Sequence, residues 1–304
     1  MRAAAFHTFG GPEVLEVIEV ATPVAAPGEV RVRVEAAGVQ AYDSAVRSGW
    51  TPPGQTVRFP QIVGNDFAGV VDQTGAGVTD FRTGDEVLGW AVLASCAEYV
   101  VVPAGQIVAK PAGMPWPQAG TLSASAQTAH TALEELKVSA GDTLLIHGAS
   151  GGVGTVAVQL ALAAGAQVIG TASPENHDYL RSLGATPTSY GDGLTDRVRA
   201  LAPGGVDVAL DAAGGAALDA SLKLVTDRDR IGTLVDLARA DKLGVRPLRS
   251  QRSAQRLQAI TDLYRTGRLI LTVSETFPLD RIADAHRRID TGHARGKTAV
   301  LLRG

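Results

Sequence analysis

One stretch limits the folds open to this chain more than any other. Asp142 to Ala172 reads DTLLIHGASGGVGTVAVQLALAAGAQVIGTA. Thr143 to His147 is a short, mostly apolar run, as expected of a strand buried on both faces. A glycine cluster follows: Gly148, Gly151, Gly152 and Gly154. Val153 to Ala164 is apolar, rich in alanine and free of proline, which suits a helix packed on a sheet. Gly165 stands where a helix C-cap would be. Gln167 to Ala172 is a second apolar strand. Strand, glycine turn, helix and strand make one βαβ unit.

The glycines have separate tasks. At Gly148 or Gly151 the backbone can take angles closed to other residues. At Gly151 and Gly152 the missing side chain lets a pyrophosphate approach the main chain, and at Gly154 it lets helix and strand pack closely. Free N–H groups and the dipole at the helix N-terminus favour an anion. Ala149 occupies the first glycine position of the usual G-x-G-x-x-G, so the motif reads A-x-G-x-x-G. A tight turn in an unrelated α/β fold would use the same glycines. Their place between a strand and a helix favours a dinucleotide site built on Gly148, Ala149, Gly151, Gly152, Val153 and Gly154.

At 304 residues the chain has room for two domains and a large core. A net charge of −3 gives no reason to expect nucleic acid. No long uncharged apolar run suggests a membrane span. The N-terminus MRAAAFHTFGGPEV lacks the apolar core of a signal peptide. Cys96 is the only cysteine, which excludes an intramolecular disulfide and a multi-cysteine zinc site. A cytoplasmic protein is expected.

Residues 1–120 read as mostly β. Val14 to Val20 and the alternating Glu29 to Glu35 are strands, and Ala41 to Arg47 is a short helix closed by Gly49. Residues 121–250 read as a doubly wound parallel sheet. After the first βαβ come strands at 185–190, 206–212, 230–236 and 243–248, with helices at 175–183, 194–202 and 217–224 between them. Beyond residue 251 follow amphipathic helices at 254–266 and 279–289 and a last strand at 297–302. Asp43, Asp66 and Asp85 read as loop-holding residues, and Cys96 as a small core residue. Arg246, Arg249, Arg252 and Arg256 read as a solvated face, with contact to an anionic substrate as the alternative.

Several motifs together resemble one family. Gly38 to Asp43 followed by Arg47-Ser48-Gly49 is similar to the "GVNxxD…RSG" stretch of medium-chain dehydrogenase/reductases. PQIVGNDFAGVVDQTGAGVTDFRTGDEVLG, from Pro60 to Gly89, resembles the run of that superfamily ending in a GDxV turn. Ala97 to Val100, Thr128 to His130, the glycine turn and Gly296-Lys297 continue the match. The nearest branch is the zinc-independent quinone oxidoreductase group that includes zeta-crystallin. The resemblance implies a β-rich GroES-like catalytic domain, residues 1–120 with the return of 251–304. It also implies a Rossmann domain, residues 121–250, that binds NADPH.

The zinc-dependent relatives take ligands where this chain has Gln40, Asn65 and, near the third position, Ser123. None is a good zinc ligand. Gln40 replaces the asparagine that helps the branch hold the nicotinamide ribose; it reads either as a lengthened version of that contact or as a surface amide. Thr128 belongs to the same implied site. The second strand ends Gly170-Thr171-Ala172-Ser173 without the acid that NAD sites use, so a 2′-phosphate would not be repelled there and Ser173 could donate to it, with Thr171 in the same cofactor site. The family's phosphate-binding tyrosine matches Tyr190. Its lysine falls at His177, which reads either as a weaker phosphate contact or as a solvated helix residue.

Without a metal there is no strong Lewis acid, and the expected substrate is a quinone or enone that disperses charge by itself. Tyr42 is the candidate substrate-side donor, with a structural tyrosine as the alternative. The implied activity is an NADPH-dependent quinone or enone reductase. The alternatives are an enoyl-thioester or biosynthetic-intermediate reductase, and a nucleotide-binding protein with little catalysis. A homodimer is expected from the sheet's outer strand at 243–248.

Overall fold

Three sheets organise the chain, whose structure, a computed structural model, describes residues 1–52, 54–292 and 294–303. The chain divides into unit 1, Met1–Ala124 with Ser253–Asp262 and Leu271–Gly304, and unit 2, Ser125–Arg252 with Leu263–Ile270.

Unit 1 opens with β1 (Arg2–Phe6), β2 (Leu15–Glu19) and β3 (Glu29–Val39). The polar/Val alternation of β3 becomes alternating burial up to Glu35; Ala36 to Val39 is then buried throughout. Strand β3 is flanked along its length by β5 (Asp66–Thr74), and on its other side by residues 99–103 in its first half and by the C-terminal strand described below in its second. Helix α1 (Ala41–Arg47) and β4 (Gln61–Ile62) precede β5; β6 (Glu86–Trp90), β7 (Tyr99–Pro103) and β8 (Ile107–Ala109) follow it. A three-stranded sheet has the order β2-β1-β4. The core between these strands includes Phe6, Val32, Val34, Phe67 and Val87.

Helix α2 (Trp116–Glu135) starts in unit 1 and ends in unit 2. Then come β9 (Thr143–His147), α3 (Gly152–Ala163), β10 (Gln167–Thr171), α4 (His177–Ser182) and β11 (Thr186–Thr188). They continue as α5 (Leu194–Leu201), β12 (Val208–Asp211), α6 (Ala216–Leu224), β13 (Ile231–Thr233), α7 (Leu237–Leu243) and β14 (Arg246–Pro247). All pairings in this six-stranded sheet are parallel, in the order β11-β10-β9-β12-β13-β14. That order reverses between β9 and β12, the place where doubly wound sheets bind ligands at their carboxyl edge.

Helix α8 (Ala254–Arg265), β15 (Val273–Pro278), α9 (Ile282–Asp290) and β16 (Lys297–Leu301) complete the chain. The seven-stranded sheet of unit 1 runs β15-β16-β3-β5-β6-β8, with β7 also on β3. No helix among the described residues is long and apolar enough to cross a membrane.

Strands of the parallel sheet are shorter than the sequence suggests: the expected 185–190 runs only Thr186–Thr188 and 206–212 only Val208–Asp211. The expected strand at 230–236 stops at Thr233, because the Thr233 Oγ1 accepts the N–H groups of Val235 at 3.2 Å and Asp236 at 3.0 Å and turns the chain. The expected strand at 243–248 is only Arg246–Pro247, because α7 takes the residues before it.

Candidate functional site

The glycine turn joins β9 to α3. Gly148 has φ +71°, a left-handed conformation that requires glycine. Gly151, in contrast, is the extended N-cap of α3 at φ −78°, so its value lies in open space rather than in backbone freedom. A Cβ there would meet only the Gly148 carbonyl oxygen, at 3.4 Å. At Gly154 a Cβ would lie 2.3 Å from that same oxygen, so helix and turn touch. The first helical bond of α3 runs from Thr155 N–H to the Gly151 carbonyl at 2.9 Å. The N–H groups of Gly152, Val153 and Gly154 therefore precede the helix's own bonding and can face an anion.

Ala149 is fully buried, and its N–H donates to the Thr171 carbonyl at 3.0 Å. Its methyl stands where Gly170 of β10 has no side chain; a Cβ on Gly170 would be 2.7 Å from it. The departure from the usual glycine motif is thus matched across the neighbouring strand. Thr171 binds the turn as well, its Oγ1 accepting from Gly148 N–H at 3.3 Å. The structure so brings Gly148 to Gly154 and Thr171 around one turn.

Beyond β10, Ser173 is nearly buried and its Oγ accepts from Asn176 Nδ2 at 3.1 Å. The first carboxylate after the strand, Glu175, is exposed on a 3-10 turn. His177 opens α4, with Nε2 3.5 Å from Ser189 Oγ. Tyr190 is the next residue and is 55% exposed. Sequence reasoning missed Arg197, which holds this loop by donating to the carbonyls of Ser189 at 2.9 Å and Asp192 at 2.7 Å. Thr128 is half-buried on α2.

In unit 1 two of the positions compared above with zinc ligands, Gln40 and Asn65, join a polar network around the buried Asp43 and Asp66. Gln40 caps α1, its N–H donating to Asp43 Oδ2 at 2.9 Å. Its Nε2 donates to Asp66 Oδ2 at 2.9 Å. Asp66 also accepts from Ala124 N–H at 2.6 Å, and Lys297 Nζ lies 4.0 Å away. Asp43 Oδ1 accepts from Asn65 Nδ2 at 2.8 Å and Gly64 N–H at 3.2 Å. Burial pushes the Asp43 carboxyl up to about 7, with Asp66 adding to the rise and the bonds from Gln40 and Gly64 opposing it. Burial likewise pushes the Cys96 thiol up. Tyr42, on α1, is half-buried and meets Trp50 edge-on at 5.4 Å. Asp43 and Asp85 hold loops, Asp85 Oδ2 accepting from Arg82 N–H at 2.9 Å, whereas Asp66 meets Gln40 and the N–H of Ala124, a residue of α2.

A second network at the carboxyl edge of unit 2 left no sequence signal. His147, the last residue of β9, is buried with Nε2 3.0 Å from Ser221 Oγ and Nδ1 unpaired. Burial holds it neutral, at about 4, against the pull of Asp211. Asp211 accepts from Ala213 N–H at 2.9 Å, Gly214 N–H at 2.7 Å and Thr233 Oγ1 at 2.8 Å, fixing the loops after β12 and β13. The pairs His147–Ser221 and Asp211–Thr233 are far apart in the chain, and the sheet order joins them.

Residues 26–112 match the alcohol dehydrogenase GroES-like domain family, and residues 183–300 the zinc-binding dehydrogenase family. The chain is 33% identical over 303 residues to the phthioceranic/hydroxyphthioceranic acid synthase of Mycobacterium tuberculosis, with 91% of this chain covered. It spans 14% of that synthase's length. It is 30% identical to the human mitochondrial NAD(P)H oxidoreductase RTN4IP1, over 90% of this chain and 82% of the relative. The solved quinone oxidoreductase of Coxiella burnetii superposes with a TM-score of 0.92 at 30% identity, over 100% of this chain and 99% of that one.

Zinc does not fit the residues present. The amide nitrogens of Gln40 and Asn65 are committed as donors to carboxylates, and a lone serine at 123 cannot replace a histidine or thiolate set. A dinucleotide does fit: the turn leaves N–H groups at a helix start and open space at Gly151.

Proposed function

This chain belongs to the medium-chain dehydrogenase/reductase superfamily, in its zinc-independent, zeta-crystallin-like quinone oxidoreductase branch, and on that premise we propose an NADPH-dependent reductase of quinones or other conjugated carbonyl acceptors. The observation that carries this reading is the pairing of an anion-ready glycine turn with amides where a metal's ligands would stand.

When bound, the nicotinamide supplies a hydride; the chain supplies position. In this reading Gly148, Ala149, Gly151, Gly152, Val153 and Gly154 hold the pyrophosphate. Thr171, Ser173, His177 and Tyr190 meet the 2′-phosphate, since no carboxylate closes β10 to repel it. The Gln40 amide is fixed by Asp66 through Nε2, and in this reading its oxygen accepts from a ribose hydroxyl. Thr128 serves the nicotinamide end. Tyr42 donates to the acceptor oxygen as charge develops there. In this reading the catalytic domain is residues 1–120 with the return of 251–304 and the NADPH domain is 121–250, with Leu263–Ile270 packed in the same unit as the latter.

An enoyl-thioester reductase is the second reading, favoured by the match to a stretch of an acid synthase. The free edge of β14 supports a homodimer, although that edge is two residues long and includes Pro247. Light scattering that gave a monomer would remove the dimer.

The test is NADPH and NADH oxidation with quinones, alkenals and enoyl thioesters, before and after exhaustive chelation. Turnover of at least one conjugated acceptor should survive chelation, with NADPH bound more tightly than NADH. Stoichiometric zinc whose removal abolishes activity would overturn the metal-free reading, and binding without turnover would leave a nucleotide-binding protein.

A further inference from the structure

We propose that the segment leaving β14, from Arg249 to Arg252, is an anion subsite that selects acceptors bearing a phosphate or carboxylate; this rests on the reductase reading above.

The segment is fixed at both ends. Leu248 N–H donates to the Thr233 carbonyl at 2.9 Å, tying it to the carboxyl edge of β13. Gln251 is tied to α2, its N–H donating to Thr131 Oγ1 at 3.1 Å and its Nε2 to Glu135 Oε1 at 2.7 Å. Within this frame the Oγ of Ser250 and the Nη1 of Arg252 are buried and have no hydrogen-bond partner. Arg249 is exposed and enters no ion pair among the described residues. Several other arginines pair with carboxylates: Arg31 with Asp72, Arg47 with Asp290, Arg230 with Asp142 and Arg239 with Asp219 and Asp236, although the Nε atoms of Arg47, Arg197 and Arg230 are also buried without a partner.

A buried guanidinium N–H and a buried hydroxyl left without partners are costly, and native proteins pair such groups with water or ligand. Two arginines and a hydroxyl, with Glu135 already engaged by Gln251, call for a group that accepts hydrogen bonds and carries negative charge. The planar guanidinium fork matches a phosphate or carboxylate. The subsite leaves the carboxyl edge of the sheet, the edge that carries the glycine turn and at which such sheets bind ligands. The acceptor's conjugated end would react while its anionic end is held here.

The experiment uses the full chain saturated with NADPH and two matched acceptor pairs: 2-butenoyl-CoA against the neutral 2-butenoyl N-acetylcysteamine thioester, and a carboxylated quinone against its methyl ester. The ratio of kcat/KM, anionic over neutral, should exceed about ten in at least one pair and fall about tenfold or more, through KM, in Arg252→Gln. Arg249→Gln, an exposed change that spares the fold, should lower the same ratio by a smaller factor. Preference in the first pair identifies a phosphate-bearing acceptor, and in the second a carboxylate. A ratio near one in both pairs, or a ratio unchanged in both variants, overturns the proposal. So does a loss of NADPH affinity in Arg252→Gln with the ratio intact, which would give the arginine to the cofactor. If no acceptor turns over, the reductase reading fails separately. Calorimetry of free CoA and inorganic phosphate then decides the subsite: binding lost in Arg252→Gln supports it, and no binding to the parent protein overturns it.

Discussion

At the scale of single residues, two glycines of one turn should respond oppositely to the same substitution. Gly151 is extended and has room for a side chain, while a Cβ at Gly154 would lie 2.3 Å from a backbone oxygen. Gly151→Val is expected to keep the fold and weaken NADPH at least about a hundredfold, because the branched side chain blocks the N–H groups that meet the phosphate. Gly154→Val is expected to cost about 3 kcal/mol of stability by overpacking. Calorimetry and urea unfolding on both variants check this; unchanged NADPH affinity in folded Gly151→Val would contradict it. The turn was legible because its signal is local: glycines at fixed offsets between two apolar runs. His147 and Asp211 were not, since each gains a partner remote in sequence, Ser221 and Thr233, and a lone helical arginine such as Arg197 does not show which nearby carbonyls it reaches.

At the scale of elements, the capped start of α1 joins residues from two places in unit 1. Asp43 accepts the Gln40 N–H inside the helix cap, and Gly64 N–H and Asn65 Nδ2 from before β5. Asp43→Asn offers one oxygen where two are used and turns an N–H₂ group toward donors. It should destabilise the protein by about 2–3 kcal/mol in urea unfolding; a loss under about 0.5 kcal/mol would show the cap to be dispensable. Elements with a clear apolar rhythm and a stop residue were readable in the sequence, α1, β9 and α3 among them. Helix α2 was not, since its residues from Ala119 to Gln127 are all buried and its small side chains show no polar face. Strand β15 has no buried side chain, and α7 is a single short segment of mixed polarity, so neither gives a period to read.

At the scale of the whole molecule, buried titratable groups set opposing slopes of stability against pH. Burial lowers His147 from 6.5 to about 4 and, with help from Arg47, His286 from 6.5 to about 3. The unfolded chain therefore binds protons that the fold refuses, and these histidines make stability rise with pH from about 4 to 6.5. Asp43, raised from 3.8 to about 7, keeps a proton that the unfolded chain releases, so it makes stability fall over nearly the same window. Two against one, the parent protein should gain stability toward neutrality, and His147→Gln/His286→Gln should reverse the slope. Urea unfolding between pH 4.5 and 6.5 tests this (about the window of the cited shifts); an unaltered slope in the double variant would contradict it. The path of the chain has a further consequence. Gln159 in α3 exchanges hydrogen bonds with Ile270, donating at 2.9 Å and accepting at 2.7 Å, although Ile270 comes after a return through unit 1. Neither unit is a continuous cassette. A transplant cut at residue 252 would leave the helix that carries the glycine turn without its strap, so the dinucleotide half of this protein is inherited or engineered together with its tail.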